Sequence, residues 1–380
     1  MGAKSKKEYL LAIWHRYQRV GRQFKSKILD EFCAVCGYAR KYAIGLLNRS
    51  PRQKRKRPGP QRRYGPEVLE PLKFLWLQSE QMCSKRLKAA LPLWLPFYEQ
   101  KQGTLTPSVR KKLLRISPAT IDRLLQKTRA RYPHRGLCGT RPGRLLKHQI
   151  PIRTDNRDID RPGFWEADTV AHCGTSMAGS FIWSLTFTDI FSQWTENRAV
   201  WNKGSEDVLR EVRDLEKASA FDWRGFDVDN GSEFLAFHLW RYLMDRPLPV
   251  SMTRSRPYRK NDQAHVEQKN WTHVRQLLGY QRLEQPALIP LINDLYRAWS
   301  LFHNFFCPTL KLRSKSRQGA KTTRRYFKPR TPFQRLLDSP HLSQGQKDRL
   351  RAQHQHLNPF DLKEQVEQKL KLVFDKARAR

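Results

Sequence analysis

The chain has 380 residues, with 73 Lys and Arg against 35 Asp and Glu, giving a formal net charge of +38. Such an imbalance drives a compact chain apart unless a polyanion offsets it, and nucleic acid, which releases condensed counterions on contact, is the expected one. At 39% hydrophobic residues, with 11 Trp and 19 Phe, the chain can bury large cores, which argues against a short cationic structural protein; its apolar runs are too short to span a bilayer, and the polar, basic start (residues 1–9) carries no export signal, so no membrane association is expected.

In chain order, residues 1–50 are expected to form three short helices. Tyr9, Leu10, Ile13, Trp14 and Tyr17 recur at helical spacing, as do Ile28, Leu29, Phe32 and Val35, then Ala43, Leu46 and Leu47 after a break at Gly37. Two helices around a Gly-containing turn fit a helix-turn-helix, with Arg40 and Lys41 opening the helix that would meet DNA; a plain three-helix bundle fits equally. Cys33 and Cys36 form a C-x-x-C with no second Cys/His pair to complete a zinc site, so they are expected to pack inside a helix.

Residues 51–65 read as a basic linker. Seven of the 12 residues from Arg52 to Arg63 are cationic, Arg55, Lys56 and Arg57 among them, and the segment could track a phosphate backbone or serve as a solvated spacer. A second helical unit, also of helix-turn-helix type, is expected over 66–133. There Thr106-Pro107 and Ser117-Pro118 each combine an N-cap with Pro at the first helical position. On the helix opened by Ser117, Ile121, Leu124 and Leu125 should face inward, and Thr120, Arg123 and Lys127 should face out as DNA contacts.

A Gly/Pro/Arg-rich connector covers 134–160, and the pattern then changes over 161–306. Strands are expected at 163–172, 180–189, 194–200, 223–228 and 249–253, with helices at 205–218, 232–244, 262–278 and 286–306. Hairpin-connected strands followed by alternating helices and strands describe a five-stranded mixed α/β sheet. Asp168 would lie on the first strand, Asp229 at the end of the fourth, and Glu267 early in the helix after the fifth. Three carboxylates converging on one place repel by about 4 kcal/mol per pair at 4 Å and an effective dielectric of 20, and hard divalent cations with oxygen ligands offset that. Two such ions can clamp the attacking and leaving oxygens of an in-line displacement at phosphorus. Other acids nearby, Asp189, Asp227, Glu233 and Asp262, are expected only to cap turns.

The blocks Trp165-x-x-Asp168, Asp229-Asn-Gly-x-Glu-Phe234 and Asn261-Asp-Gln-Ala-His-Val-Glu267-x-x-Asn270 resemble the DDE catalytic core of retroviral integrases and bacterial insertion-sequence transposases, over roughly residues 155–305. Asp229 follows Asp168 by 61 residues and Glu267 follows Asp229 by 38, both in keeping with that family. The resemblance implies a ribonuclease-H-like catalytic core, here preceded by all-α helix-turn-helix domains. It implies Asp168, Asp229 and Glu267 as metal ligands, holding two Mg2+ ions, or Mn2+ in their place. Asn270 shares a helix face with Glu267 and could touch DNA near the site. No His-His-Cys-Cys zinc site precedes the core, which points to the bacterial branch and a cytoplasmic, nucleoid-associated protein.

The final stretch, 307–380, begins with a basic arm, nine cations and no acid over residues 311–330, expected to track DNA or else to be a disordered tail. Helical spacing of Leu362, Val366, Leu370 and Val373 follows, fit either for a partner or for packing on its own domain. The expectation from the whole sequence is a DNA transposase that acts on double-stranded element ends and target as a homo-oligomer. A nuclease of the same fold without strand transfer, or a non-catalytic DNA-binding regulator, would be the alternatives.

Overall fold

The computed structural model describes residues 1–49, 63–132, 159–228, 234, 236–254, 264–318 and 320–379, without the side chains of Ala264, His265, Glu267, Lys315, Arg317 and Lys321. The chain divides into two compact units, Met1–Arg63 and Tyr64–Arg380.

In the first unit, α1 (Ala3–Arg19), α2 (Arg22–Cys36) and α3 (Arg40–Asn48) close around Ile13, Tyr17, Ile28, Leu29, Phe32, Cys36, Ala43 and Leu47, the stripes expected from spacing. Gly37 adopts φ 66° at the end of α2, a left-handed turn that glycine enters without steric cost, and its N–H closes onto the Cys33 carbonyl.

The second unit opens with α4 (Pro66–Gln78), α5 (Ser84–Gln102), α6 (Pro107–Arg115) and α7 (Pro118–Arg129). Both expected caps are present: Thr106 accepts from the Val109 N–H and Ser117 from the Thr120 N–H. The sheet follows, with β1 (Phe164–Ala171), β2 (Ile182–Asp189), β3 (Thr195–Trp201), β4 (Gly225–Val228) and β5 (Ser251–Arg254) in the order β3-β2-β1-β4-β5. β1–β2 and β2–β3 are antiparallel, whereas β1–β4 and β4–β5 are parallel. A five-stranded mixed sheet of this order, flanked by helices, fits a ribonuclease-H-like fold.

Helix α8 (Ser205–Ala218) links β3 to β4, and α9 (Phe237–Met244) links β4 to β5. One helix start differs from expectation: α8 starts at 205 as read, with Gly204 as its cap, whereas α9 begins only at Phe237, with Ala236 as its cap. After β5, α10 (Ala264–Lys269) runs into a π-helical stretch (Asn270–Arg275) and a last turn, α11 (Gln276–Leu278). Helix α12 (Ile289–Phe306) then crosses the sheet, and β6 (Leu312–Gln318) and β7 (Lys321–Tyr326) pair in a sheet of their own. Helices α13 (Pro332–Asp338), α14 (Gln344–Gln355) and α15 (Pro359–Arg378) close the unit.

Sheet residues alternate between faces. One face presents Trp165, Ala167, Phe187, Phe226 and Val228, all buried, with Trp165 stacked on Phe221 at 5.5 Å and Trp223 on Phe226 at 5.6 Å. The other face is polar: Glu166, Thr186, Thr188, Thr195, Asn197, Ser184 and Asp227 are buried there. Helix α12 covers part of it and satisfies it, the Tyr296 hydroxyl lying 2.6 Å from Ser184 Oγ.

The helices before the sheet and those after α12 meet on α12. Trp94 of α5 lies edge-on to Phe302 and Phe360 and donates from Nε1 to the Phe306 carbonyl at 3.0 Å. Helix α15 buries Leu362, Val366 and Val373 against the shared core, and Lys369 pairs with Asp294 of α12. The last helix therefore packs within its own unit. Among the described residues no helix is long and apolar enough to cross a membrane.

Among the described residues, three imidazoles are enclosed in this unit. His172 donates to or accepts from Ser184 Oγ at 2.7 Å, and burial pushes its pKa down to about 3. Burial likewise holds His273 and His303, whose rings are 4.5 Å apart, well below 6.5. Below about pH 6.5 the unfolded chain takes up protons that the folded chain refuses, so stability should fall as pH drops, over the range from 6.5 to about 3 for His172. The buried Asp189 and half-buried Glu211 carboxyls, raised mainly by burial, work in the opposite sense but titrate towards the acid end of that range. Urea unfolding at pH 7 and pH 5 should show a lower midpoint at pH 5, by about 1 kcal/mol or more in stability; an equal or higher midpoint would contradict the burial of neutral rings.

Candidate active site

Asp168 lies on the polar face of β1, half-buried. Its Oδ1 accepts from the Thr169 N–H at 2.7 Å and its Oδ2 from the Asn270 side-chain amide at 2.5 Å. Two residues earlier on the same face, Glu166 is fully buried and its Oε2 accepts from the Val266 N–H at 3.0 Å. A carboxylate against the first turn of a helix is favoured both by the orphan N–H groups there and by the helix dipole. The two contacts clamp α10 and its π-helical continuation onto β1. They fall on Val266 and Asn270, and Glu267 lies between them in the same helix. The backbone of Glu267 is thus held over the polar face of β1, while its side chain lies outside the described residues.

The change of helical period begins at Asn270, the residue that reaches Asp168. Insertions of π-helical turns of this kind are frequent at functional sites, because they re-aim one side chain without ending the helix. The side-chain carbonyl oxygen of Asn270 is buried and has no hydrogen-bond partner among the described residues.

On β4, Val228 pairs with Ala167, and Asp227 pairs with Glu166. In a parallel pair such partners project to the same face, so Asp227 joins Glu166 on the polar side. Asp227 is buried and accepts from the Thr253 hydroxyl of β5 at 2.6 Å. Asp189 does act as a turn cap, accepting from the Gly163 N–H, the Ser192 N–H and the Ser192 hydroxyl. Asp229 follows Val228 directly in sequence and lies outside the described residues, as do Glu233 and Asp262. Among the described residues, no group of three His, Cys, Asp or Glu side chains is set to hold a metal ion.

Beside this helix is a cationic interior. Lys269 is buried and points its Nζ at the Gln193 carbonyl, 3.5 Å away. Burial first, then the nearby Arg86 and Arg335, lowers its pKa to about 7.

The candidate DNA contacts fall in three classes. Arg40 opens α3 but is paired with Asp30 and donates to Ser26 Oγ at 2.7 Å on α2, while Lys41 is exposed. Arg55, Lys56 and Arg57 lie outside the described residues. On α7, Arg123 and Lys127 are exposed; Thr120 is half-buried and shares its hydroxyl with Ser117 at 2.9 Å and Arg123 at 3.1 Å. Sequence reasoning assigns no part in the site to Glu166 or Asp227. A signal for Glu166 is nonetheless present, since a residue two places from Asp168 on a strand must share its face.

No family model matches the chain. It is similar, at 41% identity over 332 residues, to "Uncharacterized protein y4rM" of Sinorhizobium fredii (strain NBRC 101917 / NGR234), the match covering 86% of this chain and 94% of that protein. Among solved structures it is similar to the catalytic core domain of BIV integrase in crystal form I, with a TM-score of 0.28, 17% identity, and coverage of 47% of this chain and 96% of that one. A likeness of that size carries no functional argument.

Proposed function

The chain belongs to the same family as the Sinorhizobium fredii protein y4rM, and we propose that it is a DNA transposase, cutting and joining strands at element ends by metal-assisted phosphoryl transfer. What carries this is the clamp of α10 onto β1: Glu166 and Asp168 hold the helix on either side of Glu267, and β4, paired with β1 up to Ala167–Val228, leads straight into Asp229. On this reading three acids from three separate elements would meet beside the Asp168 level of β1.

The donor set is made of oxygen, which suits Mg2+ or Mn2+, and the unpartnered side-chain carbonyl oxygen of Asn270 beside Asp168 would itself be a further oxygen ligand or accept from a water. Asp168, Asp229 and Glu267 would hold two ions, which when bound would stabilise the attacking and leaving oxygens. The chain's own part is positional. The Asn270 amide fixes the Asp168 carboxylate, and the Glu166 contact fixes the height of the helix above the sheet. The exposed Arg123 and Lys127 of α7, and the α2–α3 pair read as a helix-turn-helix, would supply DNA contacts, and joining two ends calls for a homo-oligomer.

Duplex oligonucleotides carrying the DNA that flanks the coding region, incubated with the protein and Mg2+, should yield nicked strands and, with a target plasmid, joined products. Nicks without joined products would identify a nuclease of the same fold. Neither product, with DNA binding intact, would leave only a regulator.

A further inference from the structure

The basic arm expected after the core has a definite shape. β6 and β7 pair antiparallel through Lys315–Arg324, Ser316–Thr323 and Arg317–Thr322, with an irregularity between Leu312 and Ser314. Every residue of these strands whose side chain is described is exposed, and the strands pair only with each other. A two-stranded ribbon with neither face buried is at best marginally stable in water.

The foot of the ribbon, by contrast, is firmly held. Thr309 bridges Arg330, the Phe327 N–H donates to the Lys311 carbonyl at 2.9 Å, and Lys311 Nζ donates to the Phe191 carbonyl at 2.8 Å. The buried Arg335 of α13 ties Thr309 to the same turn, donating to the Ser192 carbonyl at 3.0 Å and the Thr309 carbonyl at 2.8 Å. The neighbouring Gln193 carbonyl receives Lys269, which immediately precedes Asn270. A ribbon that fails to support itself is therefore fixed, at its base, to the turn that also meets the helix of the candidate site.

We infer that the β6–β7 ribbon is a DNA-binding element that lies in the major groove of a duplex. Within residues 311–330, nine cations and no acid call for a polyanion. The major groove, about 12 Å wide, admits a two-stranded ribbon. The register sets Ser314, Ser316, Gln318, Thr323 and Arg325, together with position 321, on one face, and the described side chains among them are hydrogen-bonding groups or a guanidinium. Such a face meets base edges and phosphates rather than a protein core. Seven residues of strand span about 23 Å, or about seven base pairs. The inference rests on the proposed DNA-processing role for the identity of the polyanion.

The full-length protein and the variant R324Q/R325Q are titrated with random-sequence duplex over a series of NaCl concentrations, and guanine N7 reactivity is mapped on the bound DNA. The variant should bind about tenfold more weakly, and its log–log salt slope should be shallower by about 2, since each phosphate contact contributes about 0.9. It should also lose a block of N7 protection about seven base pairs long that the parent shows. The charge-conserving R324K/R325K should restore the slope, which separates lost contacts from lost folding. Unchanged affinity and slope in R324Q/R325Q overturn the assignment, as does a lysine pair that fails to restore the slope, or N7 protection that does not depend on the ribbon. If the parent protein binds no duplex at all, the proposed function falls first; if the parent binds and the ribbon variant binds just as it does, the ribbon alone is refuted.

Discussion

Asp168→Asn should reduce strand cleavage in Mg2+ by about 10³-fold or more while leaving duplex affinity within about twofold. Loss of one ligand charge removes several kcal/mol of metal-assisted stabilisation, and each 1.36 kcal/mol is tenfold in rate. Affinity should hold, because the exposed basic side chains assigned to DNA, Arg123 and Lys127 on α7, lie on other elements. Asn is nearly isosteric with Asp, so the fold should survive, although the amide of Asn270 would then face a neutral partner in place of a carboxylate. Asp229→Asn should give the same result. The measurement is a cleavage time course beside an equilibrium binding titration. Full cleavage by Asp168→Asn would dismiss the metal-ligand assignment, whereas parallel loss of cleavage and binding would indicate misfolding and call for a melting curve.

Trp94→Ala should destabilise the unit 64–380 by about 3–5 kcal/mol. Trp94 is 1% exposed, fills the gap between Phe302 and Phe360, and donates its indole N–H to the Phe306 carbonyl. Truncation leaves a large cavity and an unpaired carbonyl together. Because α5, α12 and α15 share that contact, the helices before the sheet and the sheet itself should lose stability together. Circular dichroism and tryptophan fluorescence should report one lowered transition. Two separate transitions, with only the earlier one shifted, would show that the helices 66–129 form an independent domain.

Much of this architecture is legible in the amino-acid sequence alone. The order βββαβαβα follows from alternating apolar runs such as Ile182–Asp189, and the starts of α6 and α7 follow from Thr106-Pro107 and Ser117-Pro118, because both signals are local. What escapes is set by distant partners. Nothing near Trp94 in sequence says that it will meet Phe302, and nothing near Leu362 says that it will pack beside α12 rather than on a second copy. The clamp on α10 joins residues 100 and 102 positions apart. The change of helical period at Asn270 has no sequence mark of its own, as both periods keep Val266, Lys269 and His273 inward. The β6–β7 ribbon reads only as a basic arm because neither strand shows the apolar alternation by which strands are found. Asp229 and the side chain of Glu267 lie outside the described residues, so the convergence of the three acids stands as a proposal supported by the frame around them.

Helix α15 begins at Pro359, more than 90 residues after Glu267, yet Phe360 stands against Trp94 and Phe74 in the middle of the unit. A stop codon falling anywhere between codons 307 and 358 would spare every acid of the candidate site and still strip that ring from the interior. Copies of the gene that have decayed by late truncation should therefore be dead for want of folding, and intact acidic blocks in such a reading frame are no sign that its product works.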